Sequence, residues 1–91
     1  MEVISFGPVF LEIVFGHFDR LPQPGEEIYV DPFAFSCGGA ITIAVEASRA
    51  GASAGLATLL GDDLGSKLVV ESSLREGVDL SPSQRDRKSV V

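Results

Sequence analysis

The chain has 91 residues, with 13 acidic against 7 basic residues and a formal net charge of −6. That length allows one small domain at most, and 45% apolar with 22% charged residues is too hydrophobic a mixture for a disordered chain. The acidic balance argues against nucleic acid or an anionic membrane surface as a partner, and the single Cys37 rules out an internal disulfide and every multi-cysteine metal site.

No stretch approaches the roughly 20 continuous apolar residues of a membrane span. The start, Met1-Glu2-Val3-Ile4-Ser5, lacks the basic region of a signal peptide, so a soluble cytoplasmic protein is expected. Val3-Ile4-Ser5-Phe6 is a short apolar run closed by the turn signal Gly7-Pro8. Residues 9–15 are apolar except for Glu12, which predicts a strand buried on both faces, or two short strands about the Gly7-Pro8 kink. Gly16, Pro22, Pro24 and Gly25 make residues 16–26 a loop. Residues 27–36 alternate loosely through Ile28, Val30, Phe33 and Phe35, and Pro32 demotes them to an edge or a bulged ribbon.

From Gly38 the texture changes. The alanine-rich run 40–50 ends at Gly51, as a helix packed closely against a sheet would. Residues 52–60 read as a buried strand of small and apolar residues. Asp63 is placed to cap a second helix over 64–76, which carries the i,i+4 pairs Leu64/Leu68 and Val70/Leu74 and stops at Gly77. Val78-Asp79-Leu80 leads into a polar turn, and Ser89-Val90-Val91 looks like a strand beginning. Strands alternating with helices predict a parallel α/β sheet with right-handed crossovers. A sheet this short leaves open edges, so the chain is expected to be a piece of something longer.

Several residues carry chemical potential, each with a plain structural alternative. Gly38-Gly39 either makes a tight strand-to-helix turn or lets a ligand approach the backbone. It is neither a dinucleotide fingerprint nor a P-loop, because no further glycine and no Gly-Lys-Ser/Thr follows. Glu12, a carboxylate in an apolar run, either points to solvent or works on a ligand. The Thr42 hydroxyl faces a ligand or bonds back to its own helix. His17 sits alone in a loop, Asp62 and Asp63 read as helix caps, and Cys37 reads as a small buried residue.

The combination says more than any member. Pro22-Gln23-Pro24-Gly25-Glu26, then Gly38-Gly39-Ala40 with Thr42, Gly51 and Gly61-Asp62-Asp63-Leu64-Gly65, and finally Glu76-Gly77-Val78-Asp79, follow one another in order across the whole chain. This pattern resembles the N-terminal portion of the ribokinase family, the PfkB-type carbohydrate kinases. The resemblance implies a three-layer α/β sandwich, of which residues 1–91 form the N-terminal segment, with 27–36 in a small β-lid. It implies a parent enzyme that transfers the γ-phosphoryl of ATP to a hydroxyl of a sugar or nucleoside, with ATP and Mg²⁺ as cofactors. By position, Glu12 would hydrogen-bond sugar hydroxyls, Gly38 and Gly39 would offer their backbone to the substrate, and Thr42 would complete the sugar site. A Val at Gly39 would then block that approach while leaving the fold intact. The family usually has Asp at Glu12 and Asn at Thr42, so both departures bear on which hydroxyl pattern is accepted. The family's Gly-Ala-Gly-Asp motif, with its catalytic base and anion hole, does not occur in these 91 residues. No catalytic residue, ATP site or metal site is therefore expected in this chain alone. Apolar residues on the lid ribbon suggest a homodimer formed through it. Two other readings stand beside this one: a non-catalytic family relic that binds a small polyol or a partner chain, and a stand-alone α/β binding module.

Overall fold

The computed structural model describes residues 1–16, 19–29 and 33–86. The elements in chain order are β1 (Val3–Phe6), β2 (Val9–Phe15), β3 (Phe33–Gly39), α1 (Ala40–Arg49), β4 (Ala54–Ala57), β5 (Leu59–Leu60), α2 (Leu64–Glu76) and β6 (Gln84–Arg85). His17 and Val30, and the strand expected at Ser89-Val90-Val91, lie outside the described residues.

The α/β class holds. β1 and β4 pair in parallel, Val3 opposite Ala54 through Phe6 opposite Ala57, and Asp79 extends the sheet by a parallel bridge to Gly55. The Asp79 carbonyl accepts from Leu56 N and its amide donates to Ala54 O, both at 2.9 Å. The core is small: Ile41 and Ala44 of α1, Leu56 and Leu60 of the sheet, Val69 of α2, and Val78. In α1 the buried positions Ile41 and Ala44 lie one turn apart on one face, the spacing by which a helix covers a sheet. Ser5 Oγ donates to Ala40 O at 2.7 Å and ties the first turn of α1 to β1.

Four expectations need correction. Residues 9–15 form one strand, but it is not buried: five of its seven residues, Phe10 and Glu12 through Phe15, are exposed. β2 pairs antiparallel with β3 over its whole length, from Val9 opposite Gly39 to Phe15 opposite Phe33, and this two-stranded ribbon stands away from the parallel sheet. A radius of gyration of 15.7 Å, against about 12 Å for a compact domain of this length, reflects that projection. The ribbon is therefore built from 9–15 and 33–39, whereas residues 27–29 of the expected 27–36 ribbon belong to no strand. The expected strand over 52–60 is broken at Thr58 into β4 and β5, where Thr58 N donates to Ser83 Oγ and Thr58 O accepts from Gln84 N. The same contacts draw residues 84–85, expected as part of a polar turn, into strand β6 beside β5.

The fourth correction concerns α2. Its buried face is Ser66, Val69 and Ser73, while Leu64 and Leu74 of the expected apolar pairs are exposed. Small hydroxyl side chains let this helix lie close to its neighbours. Asp63 caps it as expected, its carboxylate accepting from Ser66 N at 2.7 Å, and Ser66 Oγ accepts from Gly61 N at 2.8 Å. The two helices are tied at their ends by Ser48 Oγ donating to Glu76 O at 2.6 Å and by an Arg49–Glu76 ion pair.

Candidate functional site

Antiparallel pairing sorts the ribbon into two faces, because residues directly opposite each other point the same way. One face carries Val9, Leu11, Ile13 and Phe15 of β2 with Phe33, Phe35 and Cys37 of β3. Its base is covered by α2: Leu11 Cβ lies over Gly65, and Cys37 Sγ, half-buried, is 3.9 Å from Ser72 Oγ. Its outer end is an exposed aromatic cluster, with Phe33 6.3 Å from Phe15 and 5.8 Å from Phe35 between ring centroids.

The opposite face carries Phe10, Glu12 and Val14 with Ala34, Ser36 and Gly38. This face brings two of the expected site residues together. Glu12 sits opposite Ser36, diagonal to Gly38, and its carboxylate rests on the buried Gly38: a Cβ there would collide with Glu12 Oε1 and fall 2.9 Å from its Cδ. Gly38 and Gly39 are the last two residues of β3, and Gly39 is also the N-cap of α1. No loop separates strand from helix. The reversal is made at Gly39, with φ 82° and ψ −142°, a combination open essentially to glycine.

The space left by the missing side chains is used by the protein's own groups. A Cβ on Gly39 would strike the Pro8 carbonyl oxygen and lie 3.1 Å from Phe10 Cε1, and one on Gly38 would lie 2.5 Å from Phe10 Cε2. The expectation that Val at Gly39 leaves the fold intact is therefore wrong, because the backbone there is strained for any other residue. Thr42 lies in the first turn of α1 and is exposed, within one helical turn of the diglycine but in no hydrogen bond with Glu12 or Gly38. Phe10 was not singled out by the sequence reading. Its signal was available in the period of two that puts it on the same face as Glu12.

A cavity of about 1040 Å³ opens where β1 and β4 end and α2 begins, lined among others by Phe6, Pro8, Phe10, Thr58, Gly65 and Pro82. Carboxyl ends of parallel strands are where open α/β sheets bind ligands. Phe10 belongs both to this cavity and to the Glu12–Gly38 cluster. Residues 20–26 are held by a clasp. Glu26 accepts from Arg20 at 2.5 and 2.7 Å and from Gln23 N at 2.9 Å, and these bonds lower its pKa below the usual carboxylate range. Pro24 and Gly25 turn the chain between these partners, which is the structural use of the Pro-Gly-Glu motif.

Among the described residues no group of three His, Cys, Asp or Glu side chains comes together to hold a metal. No helix of the described residues is long and apolar enough to cross a membrane.

The architecture is that of the N-terminal part of ribokinase-like kinases. A ribokinase from Cryptococcus neoformans var. grubii serotype A, solved in complex with ADP, superposes with a TM-score of 0.78 and 25% identity, covering 99% of this chain and 28% of its own. A PfkB protein from Polaromonas sp. JS666 gives 0.70 and 28% over 93% of this chain and 27% of its own. An Arabidopsis thaliana ribokinase complexed with ribose and ATP gives 0.72 and 24%, over 91% and 27%. No family model and no curated protein matches the sequence. The chain spans under a third of the length of the solved structures it matches. It is similar along almost its whole length to the N-terminal segment of PfkB-family carbohydrate kinases.

Proposed function

We propose that residues 1–91 are the substrate-binding N-terminal segment of an ATP-dependent carbohydrate kinase acting on a hydroxyl of a sugar or nucleoside. The observation that carries this reading is the Glu12 carboxylate held on Gly38 by the antiparallel ribbon, next to Phe10, which itself lines the cavity at the carboxyl ends of the parallel strands. Glu12 accepts hydrogen bonds from substrate hydroxyls, Gly39 positions the start of α1, and the Thr42 hydroxyl contributes from its first turn. The Phe10–Glu12 face of the ribbon is the inner face of a lid that excludes water from the reaction. In the solved relatives ADP accompanies one ribokinase, and ribose with ATP another. No P-loop glycine motif occurs in the sequence and no cluster of carboxylates gathers among the described residues, so in this reading ATP and Mg²⁺ would be held by other parts of the parent kinase. A cytoplasmic location accords with the proposed use of ATP.

The lid's opposite face, with Phe15, Phe33 and Phe35 exposed, is the surface through which two copies associate. The test is direct. The whole product of the reading frame is assayed for ATP-dependent phosphorylation of a panel of sugars and nucleosides, with its sedimentation measured alongside. Absence of a Gly-Ala-Gly-Asp segment after Val91, or of any turnover, refutes the kinase. A strict monomer at high concentration refutes the dimer.

A further inference from the structure

The cavity and the Glu12–Gly38 cluster share one side chain. Phe10 is the single large apolar group at the foot of a face otherwise made of Glu12, Val14, Ala34, Ser36 and Gly38. Its ring ends over the diglycine, Cε2 above Gly38 and Cε1 above Gly39, where any side chain on either glycine would displace it. The ring is thus seated against backbone, yet it remains 52% exposed. The rest of the ring contributes to the lining of the cavity. A half-exposed phenylalanine in itself is ordinary. This one is set beside a carboxylate, at the edge of a 1040 Å³ cavity, at the end of a parallel sheet.

We infer that Phe10 is a specificity-determining residue, a platform on which the C–H face of a furanose or pyranose ring stacks while the ring's hydroxyls donate to Glu12. This rests on the carbohydrate reading proposed above and narrows it to substrates in the closed-ring form. The physical reason lies in the two chemistries of a sugar ring. Its faces expose weakly positive C–H groups, which complement the negative face of an aromatic ring, and its rim exposes hydroxyls, which complement a carboxylate. Phe10 and Glu12, two residues apart on one strand face, offer both within the span of one sugar. An open-chain polyol has the hydroxyls but no rigid face to stack, so Glu12 holds it without help from Phe10.

The experiment measures equilibrium binding to the whole product of the reading frame by calorimetry, using ribose, fructose, ribitol, sorbitol and adenosine. Wild type should bind the ring sugars more tightly than the polyols with the same number of carbons. Phe10→Ala should lose about tenfold in ring-sugar affinity while polyol affinity changes by less than about twofold. Phe10→Tyr, which keeps the ring, should restore the preference, and Glu12→Gln should weaken ring sugars and polyols alike. Adenosine separates the two sources of the same ring: binding lost in parallel with ribose means that the sugar of a nucleoside stacks on Phe10, and binding retained means that only free sugars do. Thermal unfolding of Phe10→Ala and Phe10→Leu checks that each variant folds; if Phe10→Ala does not, Phe10→Leu carries the comparison. If wild type binds sugars and the ring-to-polyol ratio is the same in both variants, the role of Phe10 is refuted while the carbohydrate reading stands. If wild type binds no sugar or polyol at all, both fall together.

Discussion

Gly39 bears the sharpest consequence of this fold, and Gly39→Ala is the perturbation that exposes it. Two costs add. The backbone at φ 82° and ψ −142° lies in territory that costs other residues about 1–3 kcal/mol. The new Cβ would also press on the Pro8 carbonyl, 3.2 Å from its carbon, and that carbonyl accepts from Ala40 N at 2.9 Å. Swinging it aside loses the bond that starts α1, about 0.5–1.5 kcal/mol. Together the substitution should cost about 1.5–4.5 kcal/mol. In a domain of this size that lowers the unfolding midpoint by roughly 10–30 °C. Gly51→Ala is the control, because φ there is +99° but nothing lies within 4 Å of the added carbon. Only the backbone cost of about 1–2 kcal/mol then applies. Thermal unfolding of the wild type and both variants, followed by far-ultraviolet circular dichroism, decides the matter. Gly39→Ala melting at or above Gly51→Ala would refute the steric reasoning.

Asp63→Ala removes the cap of α2 and should destabilise by about 1 kcal/mol, read from the same melting curves; no loss would mean that Ser66 N finds another partner. Hydrogen bonds from the Arg49 side chain hold the Glu76 carboxyl below its usual range. A lowered folded-state pKa gives stability that is present above the unfolded value and lost as pH falls through the folded one, so the midpoint should drop on acidification below about pH 5. That drop should be shallower in Glu76→Gln, and an unchanged slope would remove this pair from the acid response. The 91-residue chain by itself should transfer no phosphate from ATP to any sugar, measured as product formation with the intact mass confirmed. Turnover above background would mean that one of its carboxylates, Glu12, Asp62 or Asp63, is catalytic after all.

The amino-acid sequence by itself determined the features whose causes are local. The alanine run ending at Gly51 specifies α1 within a residue or two, and Asp63 with Gly77 brackets α2, because caps and helix-stopping glycines act through bonds to the nearest turn. The order of Pro-Gly-Glu, Gly-Gly-Ala and Gly-Val-Asp motifs was likewise enough to indicate the ribokinase-like fold. What the tertiary structure decided depends on partners far away in the chain. Residues 9–15 look like a buried strand because they are apolar, yet their fate rests on pairing with 33–39, and Phe10 meets Gly38 across 28 residues. Nothing local encodes that register. Slipping it by one residue would turn Phe10 and Glu12 away from Ser36 and Gly38, onto the face that packs on α2. The same holds for α2, whose inward face of Ser66, Val69 and Ser73 follows from how closely its neighbours approach rather than from where its leucines fall. The roles of Gly38 and Gly39 were the least legible. A diglycine in a sequence says only that side chains are absent, and only the folded chain shows that Phe10, Glu12 and Pro8 occupy the room they leave.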